Sequence, residues 1–475
     1  MTLHRASRYT LPLALLALPS LAGAQAFGLN EIGSCALARG FAVTSAPCND
    51  ASSIYWNPGA MPGSQGLTAM GGVAIIKING DFTRDTTQAR YNAQVPTQYV
   101  PHGFINYRND KMAFGIGAYV PYGLTSQWGS DFPGRFSALK ASLKTVYVQP
   151  NIAYQISDNW SIGGGPVIGH SSVELIQAID LSQTGTTTPG VTFGQIGVPR
   201  YTEFGQARLV GSAMAYGVNV GIHGRLSPEW EMGARFLSQL SFSYDDADAT
   251  FTQTNTGILL AANSPYKIPA GSPGAGQSFP AGTPLDALLA TQFTTGGALV
   301  AQKVKTVIRH PAQAQLGFAY SGFANTLLSV DYAYVGWKSF NALPVSFQGP
   351  AAGNSKVLQE DYNNTSSIRV GAERRYMSGA ALRAGFAAAT SAAPPETVTP
   401  LLPEMNRALG MIGGGIPLMG KLALDATYSH IFTPGSRGRI DERPASYTSA
   451  QALAQNNGAY TLNANIWSFS LKYSY

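Results

Sequence analysis

The chain is predicted to be all-β, a transmembrane antiparallel β-barrel, on three observations. Charged residues make up only 12% of its 475 residues, about half of the ~25% typical of a soluble domain. Mean hydropathy is −0.01, while aromatics reach 11% and glycine numbers 53. No stretch after Ala26 offers the ~18 uninterrupted apolar residues of a membrane helix. Strands whose lipid face and lumen face alternate average to this neutral composition, whereas a soluble surface needs more charge.

The chain opens with a leader. Met1 to Arg8 carries Arg5 and Arg8 and no acid, "LPLALLALPSLAG" follows, and "AGA" and "AQA" offer small-residue cleavage sites after Ala24 or Ala26. Basic start, short apolar centre and A-x-A end predict a secretory signal peptide over residues 1–24. The run is too short and Pro-interrupted for an anchor crossing ~30 Å.

The only cysteines, Cys35 and Cys48, are separated by 13 residues. In an exported chain such a pair is expected to be oxidised. A CxxC redox or zinc reading fails on the spacing and on the lack of a His cluster nearby. Around them, residues 25–66 precede the first convincing strand at "LTAMGGVAIIKI". The stretch "NDASSIYWNPGAMPG" within them is not itself strand-like. Phe27, Leu29, Phe41, Ile54, Tyr55 and Trp56 are too apolar for a free tail, and suit a segment packed inside a polar-lined barrel.

From residue 67 to residue 475 the barrel pattern recurs. "LLSVDYAYVGW" sets Leu328, Val330, Tyr332 and Tyr334 opposite Ser329, Asp331 and Ala333, and "KLALDATYSH" sets Leu422, Leu424, Ala426 and Tyr428 opposite Asp425, Thr427 and Ser429. In the final "IWSFSLKYSY", Trp467, Phe469, Leu471, Tyr473 and Tyr475 share one face. Strict period two over ten residues excludes an amphipathic helix. Short turn tokens ("ISDNWSIG", "LSPEWEMG", "SGFANTLL", "YMSGAALR", "IPLMGKLA") alternate with long polar loops, the asymmetry of outer-membrane barrels. The longest loop, about Gln253 to Gln302, embeds "PLDALLATQF", whose Leu285, Leu288 and Leu289 have helical spacing and predict a lid or outer binding groove.

Enzyme and cofactor motifs fail on inspection. "GIPLMGKL" fits G-x-x-x-x-G-K but ends in Leu422 where a P-loop needs a hydroxyl, and reads as a hairpin turn. The six His residues show no H-E-x-x-H spacing and G-x-S-x-G is absent. No enzyme activity, cofactor, metal or nucleic-acid partner is expected, and a barrel lipase or protease would need a Ser/His/Asp set that no motif supports.

"GLNEIG", "ARGFAVTSA", "NDASSIYWNPGA" and "YGLTSQW" resemble the FadL/TodX family of outer-membrane channels for long-chain fatty acids and aromatic hydrocarbons. "DNWSIGGG", "YAYVGWKSF" and "PPETVTPLLPEMNR" extend the likeness over most of the chain. The resemblance implies about fourteen strands around an N-terminal hatch that plugs the lumen, here residues 25–66. Its Asn-Pro-Ala gating element matches Asn57, Pro58 and Gly59, with Gly in place of Ala loosening the backbone.

The resemblance further implies a kinked third strand through which an apolar ligand leaves sideways into the membrane. "AFGIGAYVPYGL" fits: Phe114, Ile116, Ala118 and Val120 alternate until Pro121, which lacks a backbone N–H, and Gly123. Val120, Pro121, Tyr122 and Gly123 are therefore the expected lateral opening, with Asn57 and Pro58 beside it. Phe27, Leu29, Phe41, Gln177 and Lys338 are the expected ligand pocket. Fatty-acid members are similar in placing basic residues near the pocket, but Gln177 and Pro344 stand at the matching positions, with Lys338 near enough to substitute. The implied ligand is a long-chain fatty acid or similar hydrophobe, with neutral monoaromatic hydrocarbons as the alternative and a general aqueous porin as the alternative class. Other expected partners are outer-membrane lipid and, through the C-terminal strand, the barrel assembly machinery; a monomer is expected.

Overall fold

The computed structural model describes residues 26–186, 190–268, 271–438 and 457–475, so the leader predicted over residues 1–24 lies outside them. Fourteen antiparallel strands close into a barrel. In order they are Gly66–Arg84, Gln98–Asn109, a third in two pieces (Met112–Tyr119 and Gly123–Gln127), Lys140–Gln155, Trp160–Asp180 and Glu203–Arg225. The seventh comprises Trp230–Leu237 and Leu240–Gln253, the eighth Gln302–His310 and Gln313–Phe323, the ninth Thr326–Val335. Thr365–Arg375, Ala381–Ala389, Arg407–Pro417, Leu422–Phe432 and Gly458–Ser474 complete the circle. First and last strands pair from Thr68 with Ser474 to Arg84 with Gly458. Closure matters because hydrocarbon offers no partner to an unpaired backbone group.

Side chains alternate as the sequence requires. Trp467, Phe469, Leu471 and Tyr473 face outward and exposed, while Ile466, Ser468 and Ser470 are buried in the lumen. Connections at one end are tight: the Ile156 N–H bonds the Trp160 carbonyl at 2.9 Å and the Leu226 N–H bonds that of Trp230 at 2.9 Å. "GIPLMGKL" is such a hairpin turn, closed by the Leu418 N–H on Leu422 at 2.8 Å. Long loops occupy the other end, which short-turn topology makes extracellular. In the loop between Gln253 and Gln302, the short helix Leu285–Leu289 turns Leu285 and Leu289 into a cluster with Leu181, Phe193, Phe204 and Leu260. The apolar helix face predicted to form an outer groove is thus spent on the loops' own core.

The N-terminal segment lies inside the barrel and holds two short helices, Ser34–Ala38 and Ser53–Trp56, and a 3-10 turn, Pro58–Gly63. Lumen-facing polar side chains satisfy its backbone and hydroxyls from all around the circumference. The Ser34 hydroxyl lies 2.8 Å from those of Ser468 and Ser470. The Thr44 N–H donates to Asp331 at 2.8 Å, and the Gln149 amide donates to the Ile54 carbonyl at 2.7 Å. Gly371 and Gly385 stand where the segment approaches closest; a Cβ on either would overlap the backbone of Arg39 or Gly40. Cys35 and Cys48 form a disulfide with a Cα–Cα distance of 6.1 Å, tying the segment to itself.

Candidate ligand passage

The third strand contains a wall defect at the predicted place. Tyr119 pairs with Tyr147 of the fourth strand, and pairing resumes at Gly123 with Lys144. Four steps on the third strand thus match three on the fourth, which is a β-bulge. Pro121 has no N–H to offer a ladder, so the interruption falls there. Toward the second strand the consequence is larger. Pairing ends at Gly103 with Ala118, and Gln98–His102 pair only with the first strand. Beyond this stretch the wall closes again through the Gln94 N–H on the Gln127 carbonyl at 2.7 Å.

The inner side of the break is patched by the head of the N-terminal segment. Gly28 bridges to Tyr122, the Leu29 N–H donates to the Pro121 carbonyl at 2.8 Å and the Gly123 N–H to that of Phe27 at 2.9 Å. Tyr122 points inward, its hydroxyl donating to the Pro311 carbonyl at 3.0 Å and accepting from the Gln313 amide at 2.8 Å.

A cavity of about 360 Å³ occupies this place, lined by Leu29, Ile76, Ile78, Val100, Val120 and Leu124 among others. Its lining also includes outward-facing Tyr99, 68% exposed, together with Pro101 and Val146. It therefore extends from lumen to lipid side through the unpaired interval. A smaller apolar cavity of about 100 Å³, lined by Phe27, Leu209, Ile308, Phe340 and Val345, shares Leu124, Leu143 and Leu402 with it. These three leucines form the partition between the two.

Charge enters the larger cavity at its inner end. Glu404 accepts from the Ala26 N–H at 2.8 Å and the Ala392 N–H at 3.2 Å, with Arg407 at 4.0 Å. Burial pushes its carboxyl and that of Glu31 above the ordinary glutamate range, against the pull of Arg407. The Arg407 guanidinium also donates to the Ala26 carbonyl at 3.1 Å. Lys144, exposed, stands at the outer lip.

Of the predicted pocket residues, Leu29 lines the larger cavity and Phe27 the smaller. The other three do not meet them. Phe41 stacks on Trp56 with ring centroids 6.0 Å apart; Gln177 sits on the fifth strand opposite Ala207; the Lys338 N–H caps Asn364 at 3.0 Å on the exterior. Pro344 lies opposite Val357 in an outer hairpin. Asn57, Pro58 and Gly59 also lie away from the break. The Asn57 amide donates to the carbonyls of Thr44 at 2.7 Å and Ile222 at 3.0 Å, and its oxygen accepts from the Gly59 N–H at 3.0 Å. Pro58 and Gly59 pack on Gly163 and Gly221 of the fifth and sixth strands. Their neighbours reach the third strand instead: Ile54 packs on Gly115 and Gly117, and the Tyr55 ring lies 4.8 Å from Tyr119. Sequence reasoning missed Ile76, Ile78 and Val100. The signal was the doubly apolar "VAIIKI", which carries isoleucine on both faces.

Comparison with known proteins agrees with this architecture. A model of the outer membrane protein transport family (OMPP1/FadL/TodX) matches residues 15–475. Outer membrane protein P1 of Haemophilus influenzae is 24% identical over 97% of this chain and 98% of its own. The crystal structure of a Pseudomonas aeruginosa FadL homologue, 19% identical, superposes with a TM-score of 0.75 over 95% of this chain and 100% of that one. The Pseudomonas putida toluene transporter TodX, 14% identical, gives 0.67 over 95% and 100%. The chain belongs to the OMPP1/FadL/TodX family of outer membrane transport proteins and resides in the bacterial outer membrane.

Proposed function

We propose that the protein is a passive channel for uptake of hydrophobic compounds, long-chain fatty acids or similar molecules. Ligand is captured at the extracellular loops, held in the apolar cavity beside the N-terminal segment acting as a hatch, and released sideways between the second and third strands. The observation that carries this reading is the cavity running from buried Ile76 and Val100 to lipid-facing Tyr99 exactly where those strands do not pair. Each transfer exchanges one apolar contact for another at ~25 cal/mol per Å², so no external energy source is needed. An aqueous porin is disfavoured because residues such as Leu37, Trp56 and Met61 fill the lumen. The C-terminal strand serves as the assembly signal, and the molecule acts as a monomer.

One observation favours a neutral ligand. The guanidinium at the inner end of the larger cavity, Arg407, is engaged by the Ala26 carbonyl and faces Glu404, and the other cation of the lining, Lys144, stands exposed at the outer lip, so no cation sits free in the buried part of the cavity among the described residues. An uncompensated carboxylate in an apolar site is strongly disfavoured. Calorimetry on the purified protein in several detergents, comparing oleate with toluene, tests both readings. Tight oleate binding supports the fatty acid, preference for toluene supports the neutral aromatic, and binding of neither sinks the channel.

A further inference from the structure

Three guanidinium groups lie deep in the lumen where the N-terminal segment meets the wall. Arg39, just after the first helix, is 0% exposed, Arg369 of the tenth strand 2% and Arg235 of the seventh 3%. Among the described residues their hydrogen bonds go to uncharged oxygens. Arg39 donates to the Ala42 carbonyl and the Ser329 hydroxyl at 3.3 Å each, and Arg369 to the Ser367 hydroxyl at 3.3 Å. Arg235 donates to Asn219 at 3.1 Å and Gln313 at 3.3 Å. Nε and Nη1 of Arg39, Nη2 of Arg235 and Nη1 of Arg369 have no partner among the described residues.

Burying an unpaired charge costs several kcal/mol, so something must offset these groups. Asp331 stands directly opposite Arg369 across the ninth and tenth strands, its Oδ2 accepting from the Thr44 N–H at 2.8 Å and its Oδ1 without a partner among the described residues. Two other nearby acids are committed elsewhere: Arg383 pairs with both Glu373 and Asp425, and Arg375 adds a second cation to Glu373. Against these three cations stand Asp331 and the buried Asp50 of the segment, whose Oδ2 is also unpartnered among the described residues, which leaves an excess of one positive charge.

Two of these cations border one aromatic block. The Arg235 guanidinium stands 4.2 Å over the Tyr55 ring, and that of Arg369 lies 5.7 Å from Phe41 and 6.0 Å from Trp56. Tyr55 and Trp56 touch with centroids 4.8 Å apart. The hydroxyls of Tyr55 and Ser45 are also without a partner among the described residues. None of these groups lines either apolar cavity.

We propose that this seam binds a small inorganic anion of halide size, held between the N-terminal segment and the seventh to tenth strands. Unpartnered guanidinium N–H groups and hydroxyls are the donors such an anion takes, and its charge offsets the excess. A polar cavity of about 510 Å³ at the short-turn end, lined by Ala46, Ser53, Glu373 and Arg375, lies beside the segment on the periplasmic side. Arg39, Ser45 and Tyr55 belong to the segment and Arg235 and Arg369 to the wall, so the anion fastens one to the other.

Crystals of the full mature protein grown in sodium bromide test the site directly. The expected result is an anomalous bromide peak against the Arg235, Arg369 or Arg39 guanidinium; its absence there, or peaks on surface cations alone, overturns the proposal. Hydrogen exchange of residues 41–57 adds a solution readout at constant ionic strength. Exchange should be roughly tenfold slower in chloride than in gluconate, as linkage gives for an anion at ~10 times its dissociation constant. Arg369→Gln should remove both the peak and the difference. If that variant fails to assemble, the wild-type comparison still decides.

Discussion

The Gly123 N–H donates to the Phe27 carbonyl at 2.9 Å, so the residue where the third strand resumes is held by the head of the N-terminal segment. With the Leu29 bond to Pro121, this patch supplies from inside part of the pairing that the second strand does not give. The inner wall of the larger cavity is therefore made in part by the N-terminal segment. The segment and the break in the third strand are thus joined at Phe27–Gly123.

Val120→Arg places a long cation in that apolar cavity, beside Leu29 and Leu124. Uptake of a hydrophobic substrate by cells should fall by roughly tenfold or more, the effect of losing ~1.4 kcal/mol of apolar occupancy. The amount of heat-resistant barrel in the outer membrane should be unchanged, because a bulge residue contributes little to the ladder. Normal uptake in this variant would mean that the exit is elsewhere.

Asn57→Ala removes three hydrogen bonds, of which one attaches the segment to Ile222 of the sixth strand and two, to Thr44 and Gly59, are internal to the segment. At ~1 kcal/mol each the segment should lose about 1 kcal/mol of its attachment to the wall and about 2 kcal/mol of its own internal order. The outcome to look for is faster proteolysis of residues 26–64 and a steady leak in planar-bilayer conductance, with barrel folding intact. A silent, protease-resistant variant would show that Asn57 does not hold the segment closed.

The sequence made the barrel legible because period two is a local property: Trp467 through Tyr473 declare a two-faced strand without reference to any other. Pro121 was legible for the same reason, since a missing N–H interrupts pairing wherever the strand lies. Which face turns inward is not local. Ile76 and Ile78 line the cavity because of closure between the first and last strands, and "VAIIKI", though apolar on both faces, does not state which of them turns inward. Gln177 and Lys338 were placed by likeness to relatives across loops of different length, where register is lost. Arg39, Arg235 and Arg369 meet only through the curvature of the wall, so each looks unremarkable in its own stretch of chain.

Cys35→Ser with Cys48→Ser should spare the barrel and weaken the segment. The disulfide closes a loop with a sequence separation of 13 residues and both sulfurs are buried inside the lumen. Loop entropy of that length is worth ~3 kcal/mol. Gel mobility of the unheated protein should match wild type, while trypsin should cut within residues 26–64 more rapidly. Loss of the heat-resistant band would show that the bond supports barrel assembly itself.

Glu404 and Glu31 give the attachment of the segment a pH dependence with a definite sign. Burial raises both carboxyls above the ordinary value of 4.5, with Arg407 opposing. The folded state therefore favours the protonated form. Its contribution is complete below the unfolded value of about 4.3 and is lost as pH rises through the raised folded values. Protease resistance of residues 26–64 should accordingly fall as pH rises above the ordinary glutamate range and through the raised folded values. Glu404→Gln keeps an oxygen to accept from the Ala26 and Ala392 N–H groups but carries no proton to lose. It should flatten that profile and strengthen the attachment at pH above the raised folded value of Glu404. A profile unchanged in Glu404→Gln would assign the pH dependence to Glu31, and a profile that rises with pH would show that Arg407 outweighs burial at both carboxyls.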